Sequence, residues 1–192
     1  IPVIHELAKN GALVSVDTMR AEVAALAVSA GAKIINDVSG GLADPAMHAT
    51  AAALKTQYIC MHWRGQSKDM DSLAKYEDVV RDVINELTKQ VAAALLAGIE
   101  PTRLVIDPGL GFAKNADQNW EILRNIDKFK ELGFPILVGG SRKRFLGGSE
   151  PSQRESASIA LTTWLATKDI WGVRTHTVKP HVDAIKVIGQ VL

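Results

Sequence analysis

One cysteine, Cys60, stands in the whole sequence, which rules out an internal disulfide framework and fits a reducing cytosol. Aromatic residues are scarce at 5% of the chain, and Trp63, Trp120, Trp164 and Trp171 are scattered as packing residues are. An excess of either charge is missing too. With 22 Lys and Arg against 21 Asp and Glu, a nucleic-acid partner held by bulk charge is not expected. No apolar run approaches the roughly 18 residues of a transmembrane helix, and no secretory signal is visible, so no membrane partner and a cytoplasmic location are expected. A starting methionine is absent as well. The sequence opens inside an amphipathic helix pattern, with Ile1, Val3, Ile4 and Leu7 at helical spacing and Gly11 as the stop, and reads as a piece that has lost its beginning. What remains is ordinary for a globular domain: 192 residues, 47% of them hydrophobic, enough for a real core.

Apolar runs and turn residues then alternate. Residues 12–16 read as a strand ending on Asp17, with Thr18 capping a helix that Gly31 closes. Residues 33–35 form a second strand, ending on Asn36-Asp37 before the turn Ser39-Gly40-Gly41. Asp44-Pro45 heads a helix through Lys55. Gln57–Met61 is a third strand, followed by His62-Trp63-Arg64-Gly65 and a polar loop through Lys75, long enough to be functional. A helix over residues 76–97 carries acidic and basic pairs that read as a solvated face. The fourth strand, Leu104-Val105-Ile106, runs straight into Asp107-Pro108-Gly109-Leu110-Gly111-Phe112. A short, wholly apolar run suits a strand buried on both faces, and an Asp directly after it needs a partner. Asp117 is expected to cap the next helix, and a short one follows before Gly133. Residues 135–138 make a fifth strand that leads into Gly139-Gly140-Ser141-Arg142-Lys143-Arg144. Ser152 and Glu155 have capping-box spacing at the head of a helix to about Thr167. Residues 170–173 form the sixth strand, ending in Arg174-Thr175-His176, and Pro180 opens the last helix.

Strict alternation of strands and helices argues for a parallel sheet with right-handed crossovers. No linker or repeat is visible, so residues 1–192 read as one domain. A doubly wound open sheet and a (β/α)₈ TIM barrel both fit the alternation. A barrel takes about 250 residues, so six visible units would leave two absent at the N-terminus. Polar groups end five strands, namely Asp17, Asn36, Asp107, the Ser141–Lys143 turn, and Arg174 with His176. Such ends converge when strands close into a ring with the site on its C-terminal face, which favours the barrel.

These residues sort into two halves. Asp17, Asn36 and Asp107 suit a flat, nitrogen-rich heterocycle whose N–H groups point inward. They also suit a hard cation, although no His-Glu or Asp-x-Asp cluster supports that reading. Ser141, Arg142, Lys143, Arg174 and His176, with glycines exposing backbone N–H groups, read as a phosphate or diphosphate seat.

In this order and spacing, Ser15-Val16-Asp17-Thr18, Ile35-Asn36-Asp37-Val38-Ser39-Gly40-Gly41, Met61-His62-Trp63-Arg64-Gly65, Asp107-Pro108-Gly109-Leu110-Gly111-Phe112, Val138-Gly139-Gly140-Ser141-Arg142-Lys143-Arg144-Phe145 and Val173-Arg174-Thr175-His176 resemble dihydropteroate synthase, the folate-pathway enzyme that sulfonamides inhibit. The resemblance covers essentially the whole chain. It implies a transferase that condenses dihydropterin-CH₂ diphosphate with 4-aminobenzoate, giving dihydropteroate and diphosphate with Mg²⁺ assistance, in a cytoplasmic homodimer. It places the pterin on Asp17, Asn36, Met61, Asp107, Gly139 and Lys143, and the 4-aminobenzoate on Phe112, Ser141 and Arg142. The diphosphate falls to Arg174, Thr175 and His176, with Asp17, Lys143, Arg174 and His176 as the catalytic set. The expected metal ligand, an asparagine, lies outside this chain with the first two strands, so the fragment alone is expected to be inactive.

The chain departs from the family pattern at Trp63, Gly140 and Thr177, the last where Asp usually follows the Arg-x-His motif, and the turn between Phe145 and Ser152 is short. A paralogue that holds pterin with weak or no synthase activity is therefore one alternative. Another is a methyltetrahydrofolate-type pterin methyltransferase, which has no need of Ser141-Arg142-Lys143 or Arg174-x-His176. Cys60, inside a strand, reads as a packing residue, and His5, His48 and His181, in helix patterns without partners, read as surface or packing groups. His62 at a strand end is a candidate for the site.

Overall fold

The computed structural model describes residues 1–66 and 69–192. In chain order the elements are α1 (Pro2–Lys9), β1 (Ser15–Asp17), α2 (Ala21–Ser29), β2 (Ile34–Asp37), α3 (Met47–Leu54), β3 (Gln57–Met61), α4 (Met70–Leu73), α5 (Val79–Leu96), β4 (Leu104–Asp107), α6 (Ala116–Arg124), α7 (Ile126–Phe129), β5 (Leu137–Val138), α8 (Glu155–Ala166), β6 (Gly172–Val173) and α9 (Lys179–Ile188). They fall into two compact units, Ile1–Arg64 with Val83–Asp107, and Gly65–Asp82 with Pro108–Leu192.

The first unit holds a four-stranded parallel sheet in the order β1-β2-β3-β4. All four residues of β4 are buried, as a wholly apolar run ending in a single acid predicts. Helix α5 turns Val83, Leu87, Val91 and Ala94 inward at three- and four-residue spacing. Cutting the fully buried Leu87 back to Ala would cost about 2–5 kcal/mol through lost transfer energy and the cavity left behind. The expected first helix forms, yet α1 buries none of its residues and leaves Val3 and Leu7 exposed.

Several expected boundaries move. β1 is only three residues long. Thr18 does not cap α2: its hydroxyl accepts from Arg20 N, while the Ala21 N–H that opens the helix donates to Asp44 Oδ2 at 2.7 Å. Asp44 therefore serves two turns, because its Oδ1 accepts from Ala46 N at the entry to α3. The expected loop after Gly65 falls partly on Ser67 and Lys68, which lie outside the described residues, and α4 occupies a stretch beyond them where the sequence predicts loop.

The second unit pairs β5 with β6 in parallel, Leu137 opposite Gly172 and Val138 opposite Val173. Asn115, not Asp117, caps α6, in a reciprocal box with Gln118. The helix after residue 150 is entered through a 3₁₀ turn, Pro151–Arg154, with Glu150 and Gln153 as the reciprocal pair. Ser152 and Glu155 do not form the expected box, which leaves the Glu155 carboxylate available to other partners.

Candidate functional site

Strand register decides which side chains share a face in the first unit. Asp17 lies opposite Asn36, Asn36 opposite Ile59, and Met61 opposite Asp107. Partners in a parallel pair point the same way, as do residues two apart on one strand. Asp17, Asn36, Met61 and Asp107 therefore stand on one face, while Asp37, Tyr58, Cys60 and Ile106 occupy the other. Asn36 Nδ2 donates to Asp17 Oδ2 at 2.8 Å, which fixes the orientation of both groups. Asp107 and Met61 are fully buried and Asn36 nearly so, whereas Asp17 is exposed.

On the opposite face Asp37 organises the turn that follows it. Its Oδ1 accepts from Ser39 N and Ser39 Oγ, and its Oδ2 from Gly41 N and the Tyr58 hydroxyl at 2.8 Å. Burial and then the nearby Asp37 charge push both the Tyr58 phenol and the Cys60 thiol far up, so neither ionises near neutrality. That agrees with Cys60 as a packing residue. His48 is not partnerless, since its Nε2 meets Gly40 O at 3.1 Å and its ring stands edge-on to Tyr58.

His62, directly after β3, is fully buried; its N–H donates to Asp107 O at 2.9 Å and its Nε2 lies 2.9 Å from Glu86 Oε2. Arg64 Nε donates to the same oxygen at 3.0 Å. Burial works to raise the Glu86 pKa, but the hydrogen bonds and charges of His62 and Arg64 prevail and bring it to about 2. Sequence reasoning misses Glu86, because its helix pattern reads as a solvated face. Gln90, one turn further along α5, donates from Nε2 to Ser39 O and Met61 O.

In the second unit the cationic residues are held by close backbone approach. Arg174 N donates to Val138 O at 3.0 Å, and its guanidinium lies against Gly139, where a Cβ would meet Nη2 at 2.6 Å. Gly140 faces Leu161, whose Cδ2 would stand 2.6 Å from an added Cβ, so Leu161 occupies the space that a larger residue would need. Ser141 Oγ lies 3.3 Å from His176 N and 3.1 Å from His176 Nδ1. Lys143 Nζ sits 4.2 Å from the centre of the Phe112 ring, and its stem packs on Gly111, whose φ of +74° suits glycine. Arg142 donates from Nε to Glu155 Oε2 at 2.9 Å. A cavity of about 530 Å³ opens here, lined in part by Gly111, Lys114, Arg142, Lys143, Arg144 and Phe145. Thr177 donates its hydroxyl to Glu155 Oε1, and His181, expected to lack a partner, is buried with Nδ1 2.7 Å from Thr162 Oγ1. Nothing in the structure explains the departure at Trp63.

Among the described residues no group of three or more His, Cys, Asp or Glu side chains stands together to hold a metal ion. No helix among them is long and apolar enough to cross a membrane.

The two halves can thus be described separately: acceptors on one sheet face, and cationic donors around two neighbouring strand ends. The family described as pterin binding enzyme matches residues 1–176. Dihydropteroate synthase of Mycobacterium leprae is 46% identical over 202 aligned positions, covering all of this chain and 71% of that protein. The chain belongs to the dihydropteroate synthase family.

Solved dihydropteroate synthases agree. The enzyme of Thermus thermophilus in complex with 4-aminobenzoate is 37% identical with a TM-score of 0.93, covering 100% of this chain and 75% of that one. The Xanthomonas albilineans enzyme in complex with 7,8-dihydropteroate is 37% identical with a TM-score of 0.91, covering 99% and 71%. The fold class is accordingly the (β/α)₈ TIM barrel, with six βα units among the described residues. Of relatives described as bifunctional the chain spans only 22–41%.

Proposed function

We propose that the full-length protein, of which this chain carries most of the candidate site, performs the dihydropteroate synthase reaction, joining (7,8-dihydropterin-6-yl)methyl diphosphate to 4-aminobenzoate and releasing diphosphate. The observation that carries this is the match of the entire chain, at 46% identity, to a dihydropteroate synthase. The reading assigns pterin N–H groups to Asp17, Asn36 and Asp107, with Met61, Gly139 and Lys143 completing the contact. It assigns 4-aminobenzoate to Phe112, Ser141 and Arg142, and the diphosphate to Arg174, Thr175 and His176.

The chemistry follows from charge. Loss of diphosphate from a methylene on an electron-rich pterin leaves a delocalised cation, which the Asp17 and Asp107 carboxylates stabilise. Arg174 and His176 offset the negative charge of the leaving group. The amine of 4-aminobenzoate is already a competent nucleophile, so no protein side chain forms a covalent bond. Mg²⁺ belongs to the proposal only as a companion of the diphosphate, since Mg²⁺ is commonly held by one or two carboxylates plus substrate phosphates. Among the described residues no three His, Cys, Asp or Glu side chains stand together, and no step here runs through the metal. A homodimer and a cytoplasmic location are part of the same proposal. Sedimentation of the full-length protein tests the former.

Mixing the full-length protein with both substrates should release diphosphate and form dihydropteroate. Pterin binding without release would overturn the synthase reading in favour of a non-catalytic paralogue. A requirement for methyltetrahydrofolate would instead favour the methyltransferase.

A further inference from the structure

Arg142 sits at φ +57°, a left-handed conformation that a residue with a side chain rarely adopts. The structure holds it there from three sides, all by the first turn of α8 and the residue just before it. Its N–H donates to Ser158 Oγ at 2.9 Å, and its carbonyl accepts from Arg154 Nη1 at 3.0 Å. Its Nε donates to Glu155 Oε2 at 2.9 Å. The other carboxylate oxygen of Glu155 takes the Thr177 hydroxyl, and His181 Nε2 lies 3.5 Å away. Thr175 Oγ1 in turn donates to Thr177 O at 3.0 Å, which closes the stretch carrying Arg174 and His176. One carboxylate therefore grips both strand-end segments, alongside the Ser141 contact to His176.

We propose that Glu155 is a positioning residue that sets the Arg142 turn and the Arg174–Thr177 stretch relative to each other, so that a single carboxylate governs how both anionic groups of the substrates are received. This rests on the synthase reading above. Glu155 touches no reacting atom. By taking Arg142 through Nε, it directs the two terminal guanidinium nitrogens to a planar carboxylate, a geometry that Arg provides and Lys does not. Its remaining oxygen needs a donor, and Thr177 supplies one. A carboxylic side chain ionised at position 177 has no proton to give, so the departure from the family pattern at Thr177 matches the acceptor that faces it.

The test compares wild type, Glu155→Gln, Glu155→Asp and Thr177→Val. Glu155→Gln keeps the size but presents an amide NH₂ to one of its two donors. It should raise KM for 4-aminobenzoate by about tenfold and KM for the dihydropterin diphosphate by a smaller factor, with kcat within about threefold. Affinity for 6-hydroxymethylpterin, which carries no anion, should not change. Thr177→Val should raise only the KM of the diphosphate substrate, and Glu155→Asp should restore part of the 4-aminobenzoate loss. Unchanged KM values in a stably folded Glu155→Gln protein would overturn the proposal. So would a uniform loss that includes 6-hydroxymethylpterin affinity, the mark of a merely structural role. Should the wild type bind both anions yet form no product, the synthase reading fails, and Glu155 is judged on the 4-aminobenzoate and inorganic diphosphate affinities alone.

Discussion

Asn36 and Asp37 are consecutive in sequence, yet their side chains leave opposite faces of β2: Asn36 donates to Asp17 on one face, and Asp37 accepts from Tyr58 on the other. The strand's period of two thus separates an amide that pairs with Asp17 from a carboxylate that holds a turn. Asp37 is fully buried and accepts four hydrogen bonds. Asp37→Ala should strand those donors and cost about 3–5 kcal/mol, or roughly 10 °C in Tm by calorimetry. Tyr58→Phe removes one of the four and should cost about 1–3 kcal/mol. A Tm unchanged by Asp37→Ala would show that the turn does not depend on this carboxylate.

Asp107→Asn poses the opposite case. The amide fits the same buried volume, and the backbone pairing with Met61 and His62 does not involve the side chain. Exchanging an anionic acceptor for a donor should weaken pterin binding by about 3 kcal/mol, roughly a hundredfold in calorimetric Kd. Tm should move by no more than a few degrees. Unaltered affinity would remove Asp107 from the pterin contact.

Gly139→Ala reaches the diphosphate side. The new methyl would press on the Arg174 guanidinium, Nη2 at 2.6 Å and Cζ at 3.1 Å, so the guanidinium must move. Loss of well-aligned charge-assisted hydrogen bonds should raise KM for the dihydropterin diphosphate about tenfold. Titration with inorganic diphosphate would show the same factor. Equal diphosphate affinity in the two proteins would mean that Arg174 does not need this approach.

How much of this was legible in the sequence depends on how local the cause is. β3 begins and ends where its apolar run does, Gln57 to Met61, and Asp107 ends β4 as an acid after a buried run must. Caps were less legible because their partners come from far along the chain. Ala21 is satisfied by Asp44, which no pattern near Thr18 announces. Two overlapping box signatures compete around residue 152, and the choice of Glu150 with Gln153 is what sends Glu155 to Arg142. Glu86 and His181 were hidden for the same reason. Helical periodicity tells which way a residue faces, but not that Arg64 or Thr162 waits there. Two halves of the candidate site, by contrast, were visible as residue types at strand ends, because charge and glycine are readable one position at a time.

The Glu86 clasp predicts a pH dependence whose sign can be worked out. Its carboxyl is held at about 2 in the folded protein against an ordinary 4.5, because His62 and Arg64 together outweigh the effect of burial. A depressed acid contributes stability that is fully present above its unfolded value and disappears as pH falls toward the folded one. Urea unfolding of wild type should therefore lose stability between about pH 4.5 and about pH 2. Glu86→Gln should be less stable at neutral pH and should approach wild type at the acid end of that window. Because the side chain is about one-third exposed, solvent screening keeps the neutral-pH difference small. The same variant removes the carboxylate that His62 and Arg64 share next to Asp107, so it should also raise pterin Kd at neutral pH. Parallel stability curves for the two proteins across the window would show that His62 and Arg64 do not hold the Glu86 charge.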